Sequence, residues 1–172
     1  RKESSAASDV YKRQVHVGEI LRFFPNAKFI LALRHPYDCV LSCFMQNFML
    51  NHAMANFLNL DDTLKLYDLT MSLWKRYTNV FAIDHHLIRY EDVVSNFKKT
   101  IGDLLKFLNV KWSDNVIEFY KTAEKRGIIN TPSYNQVSQP IYSNSMYRWK
   151  NYEKEFAKSN ISLENWVKEF NY

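Results

Sequence analysis

Apolar positions follow two different periods along the chain, and their order predicts strands alternating with helices. Residues 28–33 (KFILAL) form an apolar run of strand length, and a second strand is predicted over roughly residues 82–89. Continuous runs of this kind are typical of strands buried on both faces of a parallel sheet. Elsewhere the apolar residues recur every three or four positions, which predicts helices. The pattern therefore indicates an α/β fold in which helices cross over between parallel strands.

The helices are predicted from apolar stripes that follow capping or turn residues. The predicted starts lie near Val15, Pro36, Asp61 or Asp62, Ser95, Ser113 and Ser162. The stripes behind these starts include Val40, Phe44 and Phe48; Leu64, Tyr67, Met71 and Trp74; Phe97, Ile101, Leu104, Leu105 and Leu108; and Leu163, Trp166, Val167 and Phe170. The first helix is expected to stop near Phe24, before a Pro-Asn turn. Two strands alone do not make a stable sheet, so we expect further strands upstream.

Two segments show no apolar period. Residues 1–14 differ in composition from the rest and are interpreted as a disordered or non-native leader, which leaves residues 15–172 as the folded part. Residues 128–146 are a long aperiodic stretch inside a predicted compact domain, and such loops are usually functional or disordered. Because this stretch carries Tyr134, Ile141 and Tyr142 among polar residues, we favour a functional loop.

Composition and charge limit the classes of partner. The chain has 172 residues, 47% apolar and 24% charged, as expected for one folded domain. Its net charge is +5; residues 1–14 hold four basic and two acidic residues, which leaves 19 basic and 16 acidic residues, or +3, for the rest. That balance permits an anionic ligand and gives no reason to expect nucleic acid.

Apolar stretches and cysteine spacing predict the compartment in which the protein works. The longest apolar stretch, Phe29 to Leu33, is far shorter than the ~20 residues that a membrane span needs, and no secretory signal pattern is found. Cys39 and Cys43 have no C-x-x-C spacing, which predicts reduced, packed thiols. We therefore expect a cytoplasmic protein that has no membrane partner.

The end of the first predicted strand carries the best candidate for chemistry. Ligands of open parallel sheets bind beyond the carboxyl ends of the strands, and Arg34 lies at such an end, directly before a helix that begins at Pro36. A guanidinium beside a helix N-terminus suits a phosphate group. The hydroxyl of Ser42, eight residues later, can face the same anion. The alternative, an arginine that pairs with a nearby carboxylate, is equally compatible with the pattern.

The second predicted strand ends in Arg89, Tyr90, Glu91 and Asp92, which should lie near the same sheet edge, although the two acids also fit a first helical turn. Asp84, His85 and His86 look like metal ligands at first sight. Adjacent side chains on a strand point to opposite faces, so these three cannot converge on one ion. We predict no metal site.

Several motifs, in order, resemble one family. They are FPNAKFILALRHPYDCVLS, ANFLNLDDTLKLYDLTMSLWKRY, LIRYEDVV, FLNVKW, NTPSYNQVSQPIYSNSMYRWKNYEK and EFNY. The first resembles the 3′-phosphate-binding strand–turn–helix of sulfotransferases that use 3′-phosphoadenosine 5′-phosphosulfate (PAPS). The whole set is similar to the bacterial sulfotransferase domain often fused to tetratricopeptide repeats, a relative of tyrosylprotein sulfotransferases. The resemblance implies a P-loop NTPase-like, three-layer α/β/α fold with a parallel sheet and a helix-rich C-terminal part.

The resemblance also implies roles for individual residues. It makes Arg34 and Ser42 ligands of the 3′-phosphate, Tyr90 a contact of the nucleotide, and Arg148 a further contact of the PAPS donor. The segment expected to wrap the nucleotide consists of Ser133, Tyr134, Asn135, Gln136, Val137, Ser138, Gln139, Pro140, Ile141 and Tyr142. Within that segment, Ser133 matches a serine that stabilises the sulfuryl group in the transition state. No metal is implied.

The chain also departs from the family pattern. Gln46 replaces a further arginine of tyrosylprotein sulfotransferases, and Gln139 and Arg148 replace lysines, so the acceptor is left open between a small molecule and a peptide. The 172 residues contain no P-R-S-G-T-T-like loop for the 5′-phosphosulfate and no K-x-P-x-N stretch. We therefore expect the C-terminal part of a sulfotransferase, inactive alone, whose parent protein can carry upstream tetratricopeptide repeats. The alternatives are a small-molecule kinase of related fold and a non-catalytic nucleotide-binding domain.

Overall fold

The structure is a computed structural model that describes residues 16–48, 50–117 and 145–172. Its helices are α1 (Val17–Phe23), α2 (Pro36–Phe44), α3 (Leu60–Val80), α4 (Tyr90–Ser95), α5 (Phe97–Phe107), α6 (Glu153–Phe156) and α7 (Glu164–Glu169). Its strands are β1 (Phe29–Leu33) and β2 (His85–Arg89), and three 3₁₀ turns span Met54–Leu58, Asp114–Val116 and Arg148–Tyr152. The predicted leader and most of the aperiodic loop lie outside the described residues.

The two strands form a parallel sheet, as the sequence predicts. Phe29 lies opposite His85 and Leu33 lies opposite Arg89, while α2 and α3 make the crossover between the strands. Because the strands are parallel and in register, their carboxyl ends meet at one sheet edge. The described architecture is therefore mixed α/β, and that edge presents the residues that directly follow Leu33 and Arg89.

Burial of β1 differs from the prediction. Leu31 and Leu33 are buried, but Ile30 is 44% exposed, and Leu87 on β2 is 46% exposed. Successive strand side chains point to opposite faces; α3 packs against one face at His85 and α5 against the other at His86, and this cover leaves Ile30 and Leu87 partly exposed. The expectation of a strand buried on both faces is therefore wrong for the part of the molecule that the structure describes.

The predicted stripe of α3 forms the centre of the hydrophobic core. Leu64, Tyr67, Met71 and Trp74 are all buried and pack with residues of β1, α2 and the C-terminal helices. Stripes at this spacing face one side of a helix, so the sequence pattern and the core agree. In the described ranges, neither α3 nor another helix is long and apolar enough to cross a membrane.

The caps of two helices differ from the predictions by one to three residues. Asn59 begins α3, and its side chain accepts hydrogen bonds from the N–H groups of Asp61 (2.8 Å) and Asp62 (3.3 Å), which are first-turn acids instead of caps. Asn96 caps α5 in the same way, while Ser95 ends α4. In both places an asparagine one to three residues from the predicted residue has the extended or irregular backbone that a cap requires.

Other helix boundaries are also corrected. Helix α2 ends at Phe44, so Phe48 does not continue the predicted stripe. The apolar face of α5 is only partly buried. After Ser113 the structure describes only a 3₁₀ turn, and the predicted end of that helix lies outside the described residues. The last helix spans Glu164–Glu169, with Trp166 buried within it.

Replacing Asn59 by alanine tests the observed cap. Loss of both accepted hydrogen bonds should lower the free energy of unfolding by about 1 kcal/mol, within the roughly 0.5–2 kcal/mol typical of such caps. Asn79→Ala, at an exposed position near the other end of α3, is the matched control and should change stability by less than about 0.5 kcal/mol. Urea denaturation followed by circular dichroism measures both; equal values would contradict the assignment.

Candidate functional site

The carboxyl edge of the sheet brings together two of the predicted site residues. Arg34 directly follows β1, and Tyr90 directly follows β2. The guanidinium carbon of Arg34 lies 5.4 Å from the centre of the Tyr90 ring. A cation over an aromatic face is attracted by the electrons of the ring, which favours this placement of the guanidinium. The paired strand ends thus fix the position of Arg34 relative to Tyr90.

A small cavity brings Arg34 together with two further predicted residues. Its volume is ≈ 220 Å³, and it is lined by Arg34, Asp38, Leu41, Ser42, Met45, Gln46 and Arg148. Ser42 faces it from α2, and Arg148 reaches it from the C-terminal part of the chain. Pockets that enclose a drug-sized ligand usually measure roughly 300–1,000 Å³, so a cavity of this size suits a single charged group. We call it the arginine cavity.

The remaining predicted residues are not placed by the structure. Ser133, Tyr134, Asn135, Gln136, Val137, Ser138, Gln139, Pro140, Ile141 and Tyr142 all lie outside the described residues. The arginine cavity is therefore built from the strand ends, α2 and the residues around Arg148.

The charges of the arginine cavity favour an anion. The Nη2 group of Arg34 donates to the carbonyl of Ser145, and its buried Nε group has no hydrogen-bond partner among the described residues. Within the described ranges, neither Arg34 nor Arg148 forms an ion pair with a carboxylate. Two guanidinium groups that form no ion pair within these ranges favour an anion in the cavity.

Arg89, at the end of the neighbouring strand, shows the contrasting case. Its guanidinium forms an ion pair with Asp92 at 2.7 Å and also donates to the carbonyl of Asn171 at 2.7 Å. The hydrogen bond to Asp92 raises the pKa of Arg89. The sequence left open whether Arg34 pairs with a carboxylate, but in the structure it is Arg89 that does so. Of the arginines at the two strand ends, the geometry therefore favours Arg34 as the anion ligand.

Glu91 joins the two strand ends beside the cavity. Its side chain is buried, and its Oε1 atom accepts a hydrogen bond of 2.9 Å from the backbone N–H of His35. The His35 ring stacks on Trp149 at 5.1 Å and meets Tyr172 edge-on at 5.2 Å. Burial lowers the pKa of His35, so the imidazole is neutral at pH 7. Burial and, second, the Glu91 carboxylate raise the pKa of Tyr172.

The sequence placed Glu91 near this sheet edge without indicating its hydrogen bond to His35, and it did not single out Asp38. Each occupies the first turn of a helix, where acidic residues are common because they complement the helix dipole. That local explanation is sufficient for the sequence pattern, and their long-range hydrogen bonds appear only when distant parts of the chain meet. What distinguishes these two acids from ordinary first-turn acids is the burial of their carboxylates, and burial is not visible in the sequence pattern.

The histidines of β2 are placed apart. His85 meets Trp74 edge-on at 5.4 Å, whereas His86 stacks on Phe107 at 5.4 Å. Among the described residues, no group of three or more His, Cys, Asp or Glu side chains could hold a metal ion.

The chain matches one family model and is similar to two curated proteins. A model of the sulfotransferase family matches residues 12–114, which include Arg34, Ser42 and Tyr90. An uncharacterized protein of Aquifex aeolicus (strain VF5) is 32% identical over 143 residues, which cover 81% of this chain and 18% of that protein. Protein-tyrosine sulfotransferase 1 of Danio rerio is 28% identical over 141 residues, which cover 76% of this chain and 37% of that protein. The chain therefore spans less than half the length of these two curated relatives.

Proposed function

Because this chain belongs to the sulfotransferase family, we propose that it supplies the 3′-phosphate-binding part of a PAPS-dependent sulfotransferase. One observation carries this proposal: the arginine cavity at the carboxyl edge of the parallel sheet is lined by two arginines that form no ion pair with a described carboxylate and outnumber its one acid, Asp38. A phosphate group carries the charge and the several acceptor oxygens that two guanidinium groups can share. The family match also favours this reaction over the kinase alternative.

The residues present fit the 3′-phosphate of this donor. Arg34 and Arg148 both line the arginine cavity and can direct their guanidinium groups at phosphate oxygens there. The hydroxyl of Ser42 adds a neutral donor from α2, and we propose that the Tyr90 ring, which lies beside the Arg34 guanidinium, contacts the nucleotide. We propose that the Ser133 to Tyr142 segment wraps the nucleotide and that Ser133 stabilises the transferring group.

The proposed reaction moves a sulfuryl group from PAPS to a hydroxyl or amine of a small-molecule or peptidyl acceptor. When bound, PAPS supplies the sulfuryl group on its 5′ side. The described residues bind and orient the opposite, 3′-phosphorylated end, which holds the donor in a fixed position for displacement. The proposed fold of the complete domain is the P-loop NTPase-like, three-layer α/β/α arrangement, of which the two-stranded parallel sheet is one part.

Calorimetric titration with two nucleotides tests the site. Adenosine 3′,5′-bisphosphate should bind the chain at least about tenfold more tightly than adenosine 5′-monophosphate, which lacks the 3′-phosphate. Because the contacts are ionic, the difference should shrink as salt concentration rises. Equal affinities would contradict a 3′-phosphate site, and tighter binding of ATP than of the bisphosphate would favour the kinase alternative.

A transfer assay separates binding from catalysis. The 172 residues contain no P-R-S-G-T-T-like loop, so we propose that the chain alone binds the nucleotide without transferring sulfate. Incubation with sulfur-labelled PAPS and phenolic or peptide acceptors should give no labelled product. Turnover by the chain alone would contradict this part of the proposal while leaving the 3′-phosphate site intact.

A further inference from the structure

The segment that carries Arg148 is held by one side chain of α2. The Asp38 carboxylate accepts hydrogen bonds from the backbone N–H of Tyr147 at 2.5 Å and from that of Trp149 at 2.8 Å. These two groups lie on either side of Arg148 in the chain. A second connection runs from the Arg34 guanidinium to the carbonyl of Ser145. We call residues 145–149 the Arg148 segment.

The backbone of the Arg148 segment needs such support. Tyr147 has φ 55° and ψ 28°, a left-handed conformation that is unfavourable for a residue with a side chain. Such conformations persist where surrounding contacts hold them. The N–H of Tyr147 donates to Asp38, which also accepts the N–H of Trp149. The Tyr147 ring meets the His35 ring at 5.5 Å and lies under the Lys150 ammonium at 5.3 Å. Without Asp38, Tyr147 can relax and Arg148 can turn away from the cavity.

Asp38 is a buried acidic residue in a cavity that otherwise favours anions. Asp38 is 1% exposed, although it lines a cavity whose other charged residues are two arginines. A carboxylate in an anion site repels the ligand, so it is unfavourable there unless it serves another purpose. Both of its oxygens accept backbone N–H groups, and neither forms an ion pair with Arg34 or Arg148. The two hydrogen bonds that Asp38 accepts from the Arg148 segment explain why a carboxylate lies in this cavity.

We propose that Asp38 is a positioning residue, which sets the affinity for the 3′-phosphate by holding Arg148 in the arginine cavity. The identity of the ligand rests on the proposed function, but the hold on the Arg148 segment does not. Asp38→Asn is the informative change because asparagine has nearly the same shape and replaces one acceptor by an NH₂ donor. One of the two backbone N–H groups then meets a donor.

Amide hydrogen exchange on the nucleotide-free chain tests the hold directly. In Asp38→Asn, the Tyr147 and Trp149 amides should exchange at least about tenfold faster, while amides of α3 keep their wild-type rates. Unchanged rates at both amides would overturn the proposal, whatever the nucleotides do. If the amides of α3 also exchange faster, the variant is globally destabilised. The test is then the ratio of the Tyr147 and Trp149 exchange rates to the α3 exchange rates, and a ratio equal to that of the wild type overturns the proposal.

A double-mutant cycle tests whether Asp38 acts through Arg148. Asp38→Asn should weaken binding of adenosine 3′,5′-bisphosphate roughly tenfold and leave adenosine 5′-monophosphate unchanged. In an Arg148→Ala background the same substitution should have no further effect; a full tenfold effect there would overturn the proposal. If the wild-type chain binds the two nucleotides equally well, the proposed function is contradicted. The hydrogen-exchange measurement then tests by itself whether Asp38 holds the Arg148 segment.

Asp68→Asn is the matched control for both measurements. Asp68 lies on α3, and its Oδ1 atom accepts a hydrogen bond of 2.7 Å from the Trp166 indole, so it also joins distant elements. It does not line the arginine cavity. Its substitution should leave the preference for the bisphosphate and the exchange at Tyr147 and Trp149 unchanged. An equal loss of preference in Asp68→Asn would mean that general destabilisation, not positioning, explains the Asp38 result.

Discussion

Replacing Arg34 by alanine should weaken binding of adenosine 3′,5′-bisphosphate by roughly 10- to 150-fold, the largest effect expected in the arginine cavity. A hydrogen bond to a charged group contributes about 1.5–3 kcal/mol, and about 1.4 kcal/mol corresponds to a factor of ten. The substitution also removes the hydrogen bond from Arg34 to the Ser145 carbonyl, which connects the strand end to the Arg148 segment. Affinity for adenosine 5′-monophosphate should change little.

Two further variants make the Arg34 measurement specific. Arg76→Ala, at an exposed position on α3, removes the same charge outside the cavity and should leave the affinity within about twofold of wild type. Arg34→Lys keeps the charge but loses the planar fork of donors, so its affinity should lie between those of wild type and Arg34→Ala. The measurement is calorimetric titration; equal losses in Arg76→Ala and Arg34→Ala would show that only net charge matters.

Replacing Leu64 by alanine should cause the largest loss of stability. Leu64 is 0% exposed at the centre of the core, and truncation of a buried leucine typically lowers the free energy of unfolding by about 2–5 kcal/mol. Part of that loss is the hydrophobic contribution of the side chain, and the rest is the cavity that remains. For a protein of marginal stability, such a change removes a large fraction of the total.

Leu69→Ala supplies the control for Leu64→Ala on the same helix. Leu69 is 57% exposed, so the same chemical change there should alter the free energy of unfolding by less than about 0.5 kcal/mol. Urea denaturation followed by tryptophan fluorescence measures both variants. Similar losses in the two variants would mean that the described core is not the one that stabilises the folded chain.

The helices and strands were largely predictable because their apolar patterns are local. The stripe of Leu64, Tyr67, Met71 and Trp74 is buried as its spacing indicates, and the two predicted strands pair in parallel. Helix starts were less accurate: an asparagine lies within three residues of the predicted aspartate or serine at both misplaced caps, and all three residue types can cap a helix. Which of them caps depends on the backbone that the preceding loop allows.

The candidate site was predictable only where it follows from sheet geometry. A parallel strand that ends in arginine places that arginine at the sheet edge, and Arg34 and Tyr90 meet there. The contribution of Arg148 came from the family resemblance, since no local pattern connects it to Arg34. The hydrogen bonds of Asp38 and Glu91 could not be recognised, because their partners lie 109 to 111 and 56 residues away in the chain.

The sequence by itself determined the fold class, the parallel relation of the two strands and the arginine at the end of the first strand. These three features follow from local apolar periods and from the small number of ways in which strands and helices pack. Tertiary structure alone decided which arginine is left without a described carboxylate: Arg89 pairs with Asp92, whereas Arg34 faces the arginine cavity. It also decided that Asp38 holds the Arg148 segment. Burial and long-range hydrogen bonds depend on distances between residues far apart in sequence, and no local pattern contains those distances.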